Sequence, residues 1–161
     1  MDFLIRSLKT KDDAQIAKII RDNLEENGLA IPGTVYFDDI LDHLSTFYAE
    51  EPSACAYYVM TDANDNVIGG VGFCEFSHFD SCVELQKIYV DGTHKGLGLG
   101  RILLAYVEER ARELGFRQMY LETHTNLGIA ISMYKSHGYQ VIERPSCVQH
   151  STMDTFLMKA L

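Results

Sequence analysis

Three glycines alternate with leucines in the stretch HKGLGLGR, residues 94–101, directly before a run of helix-forming residues. Glycine is a poor helix former, and a flexible turn would need only one, so three so close together require another reason. A helix start offers unpaired backbone N–H groups and a positive dipole end, and glycines let a phosphate approach that backbone closely. The stretch therefore predicts an anion-binding loop at a helix N-terminus.

The spacing of these glycines distinguishes this stretch from two common phosphate-binding loops. A Walker loop ends in Gly-Lys followed by Ser or Thr, whereas Arg101 and Ile102 follow Gly100 here. The dinucleotide fingerprint G-x-G-x-x-G, counted from Gly96 and Gly98, requires a third glycine at the position that Arg101 occupies. The spacing therefore argues against both a nucleoside triphosphate loop and a dinucleotide loop.

The elements that must hold this loop alternate between strand-like and helical patterns. Strands are predicted at 2–8, 54–61, 67–76, 82–90, 116–124, 139–144 and 153–161, and helices at 10–27, 38–50, 101–114 and 127–138. The order β-α-α-β-β-β-α-β-α-β-β predicts a mixed α/β fold, with a central mixed sheet of about six or seven strands and helices on both faces. We expect one domain over residues 1–161.

The strand at 82–90 leads into the glycine loop and should lie next to the strand at 116–124. A strand, crossover helix and strand of this kind place the two strands parallel, with a right-handed connection. Simple alternation within 82–90 puts Val83, Leu85, Lys87 and Tyr89 on one face of the sheet.

Composition and charge exclude several classes of function. Hydrophobic residues make up 47% and charged residues 23% of 161 positions, which is ordinary for a folded globular protein. The net charge of −9 repels phosphate backbones, so nucleic-acid binding is not expected, while a cationic small molecule is tolerated. An apolar run of roughly 20 residues, as a membrane span needs, is absent from the sequence.

The first residues and the cysteines predict a cytoplasmic protein. MDFLIRSLKTKDDAQ carries charges where a secretory signal needs an apolar core. The four cysteines, Cys55, Cys74, Cys82 and Cys147, are scattered without a C-x-x-C pair. This pattern argues against a zinc ribbon or a disulfide scaffold and suits a reducing compartment, so no metal is expected.

The glycine stretch resembles the acyl-CoA loop of the GCN5-related N-acetyltransferase (GNAT) superfamily, whose pattern is [RQ]-x-x-G-x-[GA]. Residues 95–100 match this pattern with Lys95 in place of Arg or Gln. Lysine keeps the positive charge but lacks the planar guanidinium fork, so backbone amides should hold more of the pyrophosphate. The resemblance implies acetyl-CoA as cofactor, held at Lys95, Gly96, Gly98, Gly100 and Arg101.

Two neighbouring segments extend the resemblance. ELQKIYV, before the loop, is similar to the family's bulged strand, which implies that the backbone N–H groups of Ile88 and Val90 hold the thioester and the pantetheine arm. TNLGIAISMYKSHGY is similar to a second family segment, in which Asn126 would contact the cofactor. In that segment Tyr134 would lie near the sulfur as cofactor contact and general acid, although a buried tyrosine is also common in a core.

The resemblance also implies where a base and an acceptor would lie. Glu84, before the expected bulge, is the preferred general base, and Glu122, His124 and a water are the alternatives. Alternatively, Glu84 has no catalytic role and is an exposed glutamate that pairs with a side chain on a neighbouring strand. The family's N-terminal helices form the acceptor wall, and candidate substrate contacts are Tyr36, Asp38, His43, Tyr48, Glu122, His124 and His150.

Together these features predict an acetyl-CoA-dependent N-acetyltransferase. It would transfer the acetyl group by direct attack of a primary amine of a small molecule or peptide. The alternative is an acyl-CoA-binding domain, a sensor or partner, without turnover. The resemblance is compatible with a homodimer, and it does not identify the amine that accepts the acetyl group.

Overall fold

The computed structural model describes residues 2–148 and 151–161. Seven strands form one sheet in the order β1-β2-β3-β4-β5-β7-β6, and four α-helices pack on it. The strands are β1 Leu4–Ser7, β2 Cys55–Thr61, β3 Val67–Glu75, β4 Cys82–Val90, β5 Gln118–Thr123, β6 Gln140–Ile142 and β7 Thr155–Ala160. The helices are α1 Asp13–Glu26, α2 Leu44–Glu50, α3 Leu99–Glu113 and α4 Gly128–Ser136.

This arrangement confirms the predicted mixed α/β class and the order of elements. Every neighbouring pair of strands in the sheet is antiparallel except β4 and β5, which run parallel. The parallel pair is the one that α3 connects, because a chain that leaves one end of a strand must cross back before it can pair in the same direction.

Two apolar clusters lie on opposite faces of the sheet. One face packs against α3 and α4, through residues such as Leu103, Val107 and Tyr134. The other face packs against α1 and α2, through Ile16, Ile20 and Leu44. The sheet is therefore the middle layer of three, and any opening within it connects the two helical layers.

A β-bulge in β4 changes which side chains share a face. On β3 a single residue separates Gly70 from Gly72, whereas their partners on β4, Tyr89 and Gln86, are separated by two residues. Lys87, the first of these two, has φ +50°. A bulge of this two-against-one kind leaves one residue unpaired and bends the strand.

The predicted simple alternation along β4 is therefore wrong beyond residue 86. Val83 and Leu85 face α3 as expected, but Ile88 and Val90 also pack on that face, and Tyr89 packs against the α1 cluster. The extra residue at the bulge shifts the period of two by one position, which reverses every side chain after it.

Tyr57 on β2 supports the bulge from the neighbouring strands. Its hydroxyl donates to the backbone oxygen of Lys87 at 2.8 Å. Its ring lies flat over β3, where a Cβ on Gly72 would come within 2.4 Å of Tyr57 Cδ2 and one on Gly70 within 2.7 Å of Tyr57 Cε1. Glycine is needed at both positions because a side chain would displace the ring that holds the bulge.

Strands β4 and β5 separate soon after they pair. Their register runs from Cys82 opposite Gln118 to Glu84 opposite Tyr120 and stops there. Both strands continue, β4 paired with β3 as far as Val90 and β5 paired with β7 as far as Thr123. A gap therefore opens between two strands that each remain fixed on their outer side.

The region predicted as one helix over 38–50 is divided in the structure. Asp39–His43 forms a 3₁₀ turn, started by the Asp38 side chain, which accepts from the Ile40 N–H at 3.0 Å. His43 then has φ −136°, outside the helical range, and α2 begins at the next residue. The break lets both Leu41 and Leu44 be fully buried.

The cysteines depart from the sequence-based expectation. Cys55 and Cys74 form a disulfide between β2 and β3, while Cys82 and Cys147 are free. The two bonded residues lie 19 positions apart in sequence, but the register of the β2–β3 hairpin makes them direct partners. Spacing in the sequence could not reveal this pair because only the register brings them together.

In residues 2–148 and 151–161, each helix falls short of the length and apolarity that crossing a bilayer requires.

The buried carboxylate of Asp12 joins β1 to the start of α1. Asp12 is fully buried, and it accepts from Arg6 at 2.7 and 2.9 Å and from the Lys9 N–H at 2.8 Å. Burial by itself would raise the pKa of Asp12, but the Arg6 guanidinium and the Lys9 N–H outweigh it, and the pKa lies below its ordinary value. The ionised form is therefore the one that stabilises the fold.

We predict that Asp12→Asn lowers the free energy of unfolding by about 3 kcal/mol at pH 7, because it leaves Arg6 without its buried partner. Since the pKa of Asp12 is lowered by folding, its contribution is complete above the unfolded-state value, about 4, and is lost at lower pH. Urea denaturation of both proteins from pH 3 to 8 measures this. The exposed pair partner Asp22, changed to Asn, is the control, and equal losses at pH 3 and pH 7 would contradict the prediction.

Candidate active site

The gap between β4 and β5 opens toward the glycine stretch. Gly96 and Gly98 have φ values of +80° and +76°, and Gly98 is the N-cap of α3. A Cβ added at either position would meet no heavy atom within 4 Å among the described residues. Both glycines are required by their backbone conformation, and the space above them is open.

A row of backbone N–H groups faces this open space. Within the part of the chain that the structure describes, the N–H groups of residues 96–100 have no hydrogen-bond partner. The first N–H groups that bond are those of Arg101 and Ile102, both to the Gly98 oxygen, at 3.1 and 3.3 Å. Five successive free donors at a helix N-terminus form a strong site for an anion.

Gly100 has a different reason for being glycine. It lies inside α3, which begins two residues earlier than the sequence pattern suggested. A Cβ on Gly100 would lie 3.3 Å from Met133 Sδ on α4. The third glycine thus allows close packing of α3 on α4, whereas Gly96 and Gly98 shape the loop.

The polar side chains predicted near this loop have partners of their own. Lys95 forms an ion pair with Glu26 at the end of α1, and Arg101 is exposed. Asn126 donates from Nδ2 to the Asn27 oxygen at 2.9 Å. Side-chain contacts to a ligand here would require Lys95 and Asn126 to exchange these partners, so the backbone donors are the prepared part of the site.

The backbone of β4 points donors into the gap. The Asp91 N–H, just after the strand, donates toward β3, to the Ile68 oxygen at 2.8 Å. Because N–H groups alternate sides along a strand, the Val90 N–H points away from β3 and toward the gap. Ile88, the second bulged residue, shares that direction, because the Lys87 oxygen of the same trans peptide group is turned toward Tyr57.

Tyr134 lies on α4 where the α3 face of the sheet meets the gap. Its side chain is buried, and burial followed by the nearby Tyr89 raises the pKa of the hydroxyl well above its ordinary value. Burial also raises the pKa of Tyr89, to about 12. Tyr134 therefore keeps its proton at neutral pH and can donate it.

Glu84 occupies the last paired position before the strands separate, on the face that α1 and α2 cover. Burial first, and then the nearby Glu122, raise the pKa of Glu84 to about 7, while Lys87 and Gln86 oppose the rise. A carboxylate with a pKa near neutrality can both take and release a proton under ordinary conditions.

Glu122 on β5 shares this face with Glu84. Its Oε1 accepts from the Tyr120 hydroxyl at 3.1 Å. Burial raises the pKa of Glu122, against the lowering effects of Tyr120 and Arg144. The gap therefore has two carboxylates on its α1 side, one from each of the separating strands.

His124 is hydrogen-bonded at one ring nitrogen. Nδ1 accepts from the Asn126 N–H at 3.1 Å, and Nε2 lies 3.7 Å from Asp154 Oδ2. His124 is in this arrangement a structural link between loops.

The predicted acceptor residues do not all converge. Tyr48 donates to Gln86 Oε1 at 2.7 Å, and the carboxylate of Asp38 is close enough to raise the pKa of Lys87. Tyr36 instead donates to Glu25 on α1, and His43 is exposed next to Asp42. His150 lies outside the described residues.

Three residues of this site had no part in the sequence-based prediction: Gln86, Lys87 and Tyr120. Gln86 and Lys87 flank the bulge, and Tyr120 lies opposite Glu84. The bulge expected in ELQKIYV is the signal that could have identified Lys87, because an extra residue there turns its side chain out of the α3 face.

Among the described residues, His, Cys, Asp and Glu side chains nowhere form a group of three suited to a metal ion.

Comparisons with known proteins bear on this arrangement. A family model described as "Acetyltransferase (GNAT) family" matches residues 16–139. The uncharacterized N-acetyltransferase YjgM of Escherichia coli (strain K12) is 32% identical over 161 residues, which span 98% of this chain and 95% of that protein.

Solved structures share the fold over the whole chain. An acetyltransferase of the GNAT family from Staphylococcus aureus Mu50 superposes with a TM-score of 0.84 at 18% identity, and 99% of each chain is covered. YncA from Salmonella typhimurium, solved with its cofactor acetyl-CoA, superposes with a TM-score of 0.77 at 25% identity, over 100% of this chain and 95% of the other.

The raised pKa of Glu84 predicts a specific dependence of stability on pH. The folded state keeps the Glu84 proton up to about pH 7, whereas the unfolded chain releases it near 4.5. Stability is therefore lost as pH rises through this interval, and Glu84→Gln removes the loss. The variant should gain up to about 3 kcal/mol relative to wild type between pH 4.5 and 8.

Urea denaturation followed by circular dichroism from pH 4.5 to 8 measures the difference. Glu109→Gln, an exposed glutamate on α3, is the matched control and should run parallel to wild type. If Glu84→Gln also runs parallel to wild type, Glu84 has an ordinary pKa and the prediction is wrong.

Proposed function

Because the chain belongs to the GNAT family of acetyltransferases, we propose that it transfers the acetyl group of acetyl-CoA to a primary amine of a small molecule or peptide. The observation that carries this proposal is the gap between β4 and β5, which has free N–H donors at one end and two carboxylates on one side. Bound acetyl-CoA would supply a thioester whose acyl carbon an amine can attack.

The residues present fit this cofactor. The free N–H groups of residues 96–100 suit a pyrophosphate, and the open space above Gly96 and Gly98 gives it access to the backbone. The gap between the strands, with the N–H groups of Ile88 and Val90 directed into it, suits the amides of a pantetheine arm. YncA, which shares the fold, contains acetyl-CoA.

Glu84 is the general base in this proposal. A primary amine binds as an ammonium ion and must lose a proton before it attacks. The carboxylates of Glu84 and Glu122 attract the ammonium ion, and a pKa of about 7 lets Glu84 accept its proton directly or through a water. His124 remains the alternative base, although its Nδ1 already accepts from the Asn126 N–H.

Two further groups would act on the thioester. The Ile88 N–H would donate to the carbonyl oxygen as negative charge develops on it, which is the role of an oxyanion donor. The Tyr134 hydroxyl, which is protonated at neutral pH as tyrosine ordinarily is, would donate a hydrogen bond and then its proton to the leaving sulfur. Tyr36 and His43 have no role in this mechanism.

We predict that a negative charge introduced at position 98 weakens the binding of coenzyme A. Asn and Asp both tolerate the left-handed conformation at this position and are nearly equal in size. Gly98→Asp should weaken coenzyme A binding at least tenfold more than Gly98→Asn, because its carboxylate would face the pyrophosphate. Isothermal titration calorimetry with coenzyme A compares them. Equal affinities, with equal melting temperatures, would argue against an anion site here.

We predict that Glu84→Gln lowers kcat/KM for the amine by about 10²- to 10⁴-fold at pH 8, with little change in KM for acetyl-CoA. In wild type, kcat/KM should rise with pH through about 7 as Glu84 loses its proton, and the variant should lack this step. Release of the coenzyme A thiol across a panel of amines measures the rate. Glu109→Gln is the control.

Tyr134→Phe should lower kcat by about tenfold or more without loss of coenzyme A binding. A variant with full kcat would assign Tyr134 to the core alone.

Binding of acetyl-CoA by wild type without thiol release from any amine in the panel would favour the alternative, a domain that holds acyl-CoA without turnover.

A further inference from the structure

Lys87 is placed in the candidate site by the bulge. Of the non-glycine residues described with positive φ, Asp65 and Ser81 lie in turns, whereas Lys87 lies within a strand. A lysine in this conformation is uncommon, and it persists only where the surrounding structure holds it. Tyr57 does so here through its bond to the Lys87 oxygen.

The Lys87 ammonium is largely enclosed and carries no ion pair in the structure as described. Nζ lies 5.9 Å from the ring centroid of Phe47 and 5.8 Å from that of Tyr48. Burial lowers the pKa of Lys87, against the raising effects of Glu84 and Asp38. Ion pairs of lysines within residues 2–148 and 151–161 involve Lys11, Lys18, Lys95 and Lys159.

Glu84 and Asp38 are near enough to raise the pKa of Lys87, but within residues 2–148 and 151–161 no carboxylate lies within ion-pair distance of its Nζ. Glu84 and Glu122 stand where an attacking ammonium is expected, and Lys87 lies three residues beyond Glu84 along the strand, at most about 10 Å away along the backbone. An enclosed ammonium that lacks an anionic partner gains most from a ligand that brings one. Its single point charge, without a guanidinium fork, suits one carboxylate.

We propose that Lys87 binds a carboxylate of the acceptor, so that the substrate is an aminocarboxylate: an amino acid or a molecule with amine and carboxylate similarly close. This inference rests on the proposed function and deepens it by naming the substrate class. The amine of such a molecule lies at Glu84 and its carboxylate at Lys87. Polyamines are disfavoured, because a second ammonium would meet Lys87 with like charge.

The kinetic test uses pairs of acceptors that differ only in the carboxylate. Each of the twenty amino acids is compared with its carboxamide, in wild type, Lys87→Met, Lys87→Arg and Lys18→Met. Methionine keeps the length and apolar stem of lysine and removes the charge. Measurements at pH 8 keep most of Glu84 ionised, since its pKa is about 7, and avoid the alkaline range in which the lowered pKa of Lys87 favours loss of its charge.

Wild type should turn over at least one amino acid, and Lys87→Met should raise KM for it at least tenfold. The same variant should leave KM for the matching carboxamide within twofold. The ratio of these two changes cancels the difference in amine basicity between acid and amide. Lys87→Arg, which keeps the charge, should retain the preference, and the exposed Lys18→Met should match wild type.

An equal loss for acid and carboxamide in Lys87→Met would overturn the proposal, since Lys87 would then act only through packing or through Glu84. Wild-type preference for carboxamides or polyamines would overturn it as well. Melting curves of each variant show that the comparison is made between folded proteins, and Lys87→Gln replaces Lys87→Met if the latter does not fold.

An equilibrium measurement separates this proposal from the proposed function. Calorimetry compares binding of N-acetyl amino acids with that of their carboxamides, in the presence of coenzyme A and without turnover. Carboxylate binding that Lys87→Met weakens at least tenfold, in a protein that acetylates nothing, would retain Lys87 as the anion site and reject the transferase. Equal weak binding of both ligands would reject the anion site.

Discussion

The interruption of pairing between β4 and β5 is the constraint on which the candidate site depends. A strand inside a sheet normally uses its N–H and C=O groups on both sides, and β4 does so only from Cys82 to Glu84. Beyond that point the β3 side remains paired while the other side opens. Polar backbone groups that face a gap in this way are satisfied by water or by a ligand, and a ligand with amides of its own can take the place of a strand.

The bulge at Lys87 connects this gap to the chemistry on either side of it. One extra residue turns Ile88 and Val90 back onto the α3 face and directs Lys87 toward Phe47 and Tyr48. The same residue thus turns backbone donors toward the gap and sets a cation beside the rings of Phe47 and Tyr48. The bulge places Lys87 in an unfavourable backbone conformation, which the hydrogen bond from Tyr57 stabilises. The ring of Tyr57 in turn occupies space that only glycines on β3 leave free.

Burial gives the charged groups of the site their properties. Burial disfavours the charged forms of Glu84 and Glu122 and raises the pKa of each, and the nearby Glu122 adds to the rise at Glu84. Tyr134 is enclosed more completely, which keeps its hydroxyl protonated. The gap therefore combines a carboxyl group that ionises near neutrality with a hydroxyl that stays protonated.

The sequence by itself determined the order of strands and helices, the parallel β4–β5 pair and the glycine loop at the start of α3, because these depend on local periodicity and on glycine at a helix start. It also identified Glu84 and Tyr134 as candidates through their resemblance to family motifs. Only the tertiary structure decided that Cys55 meets Cys74, that His124 Nδ1 accepts from the Asn126 N–H and that Lys87 lies near Glu84. Register, burial and the bulge combine distant segments, and no local pattern in one segment records its partner in another.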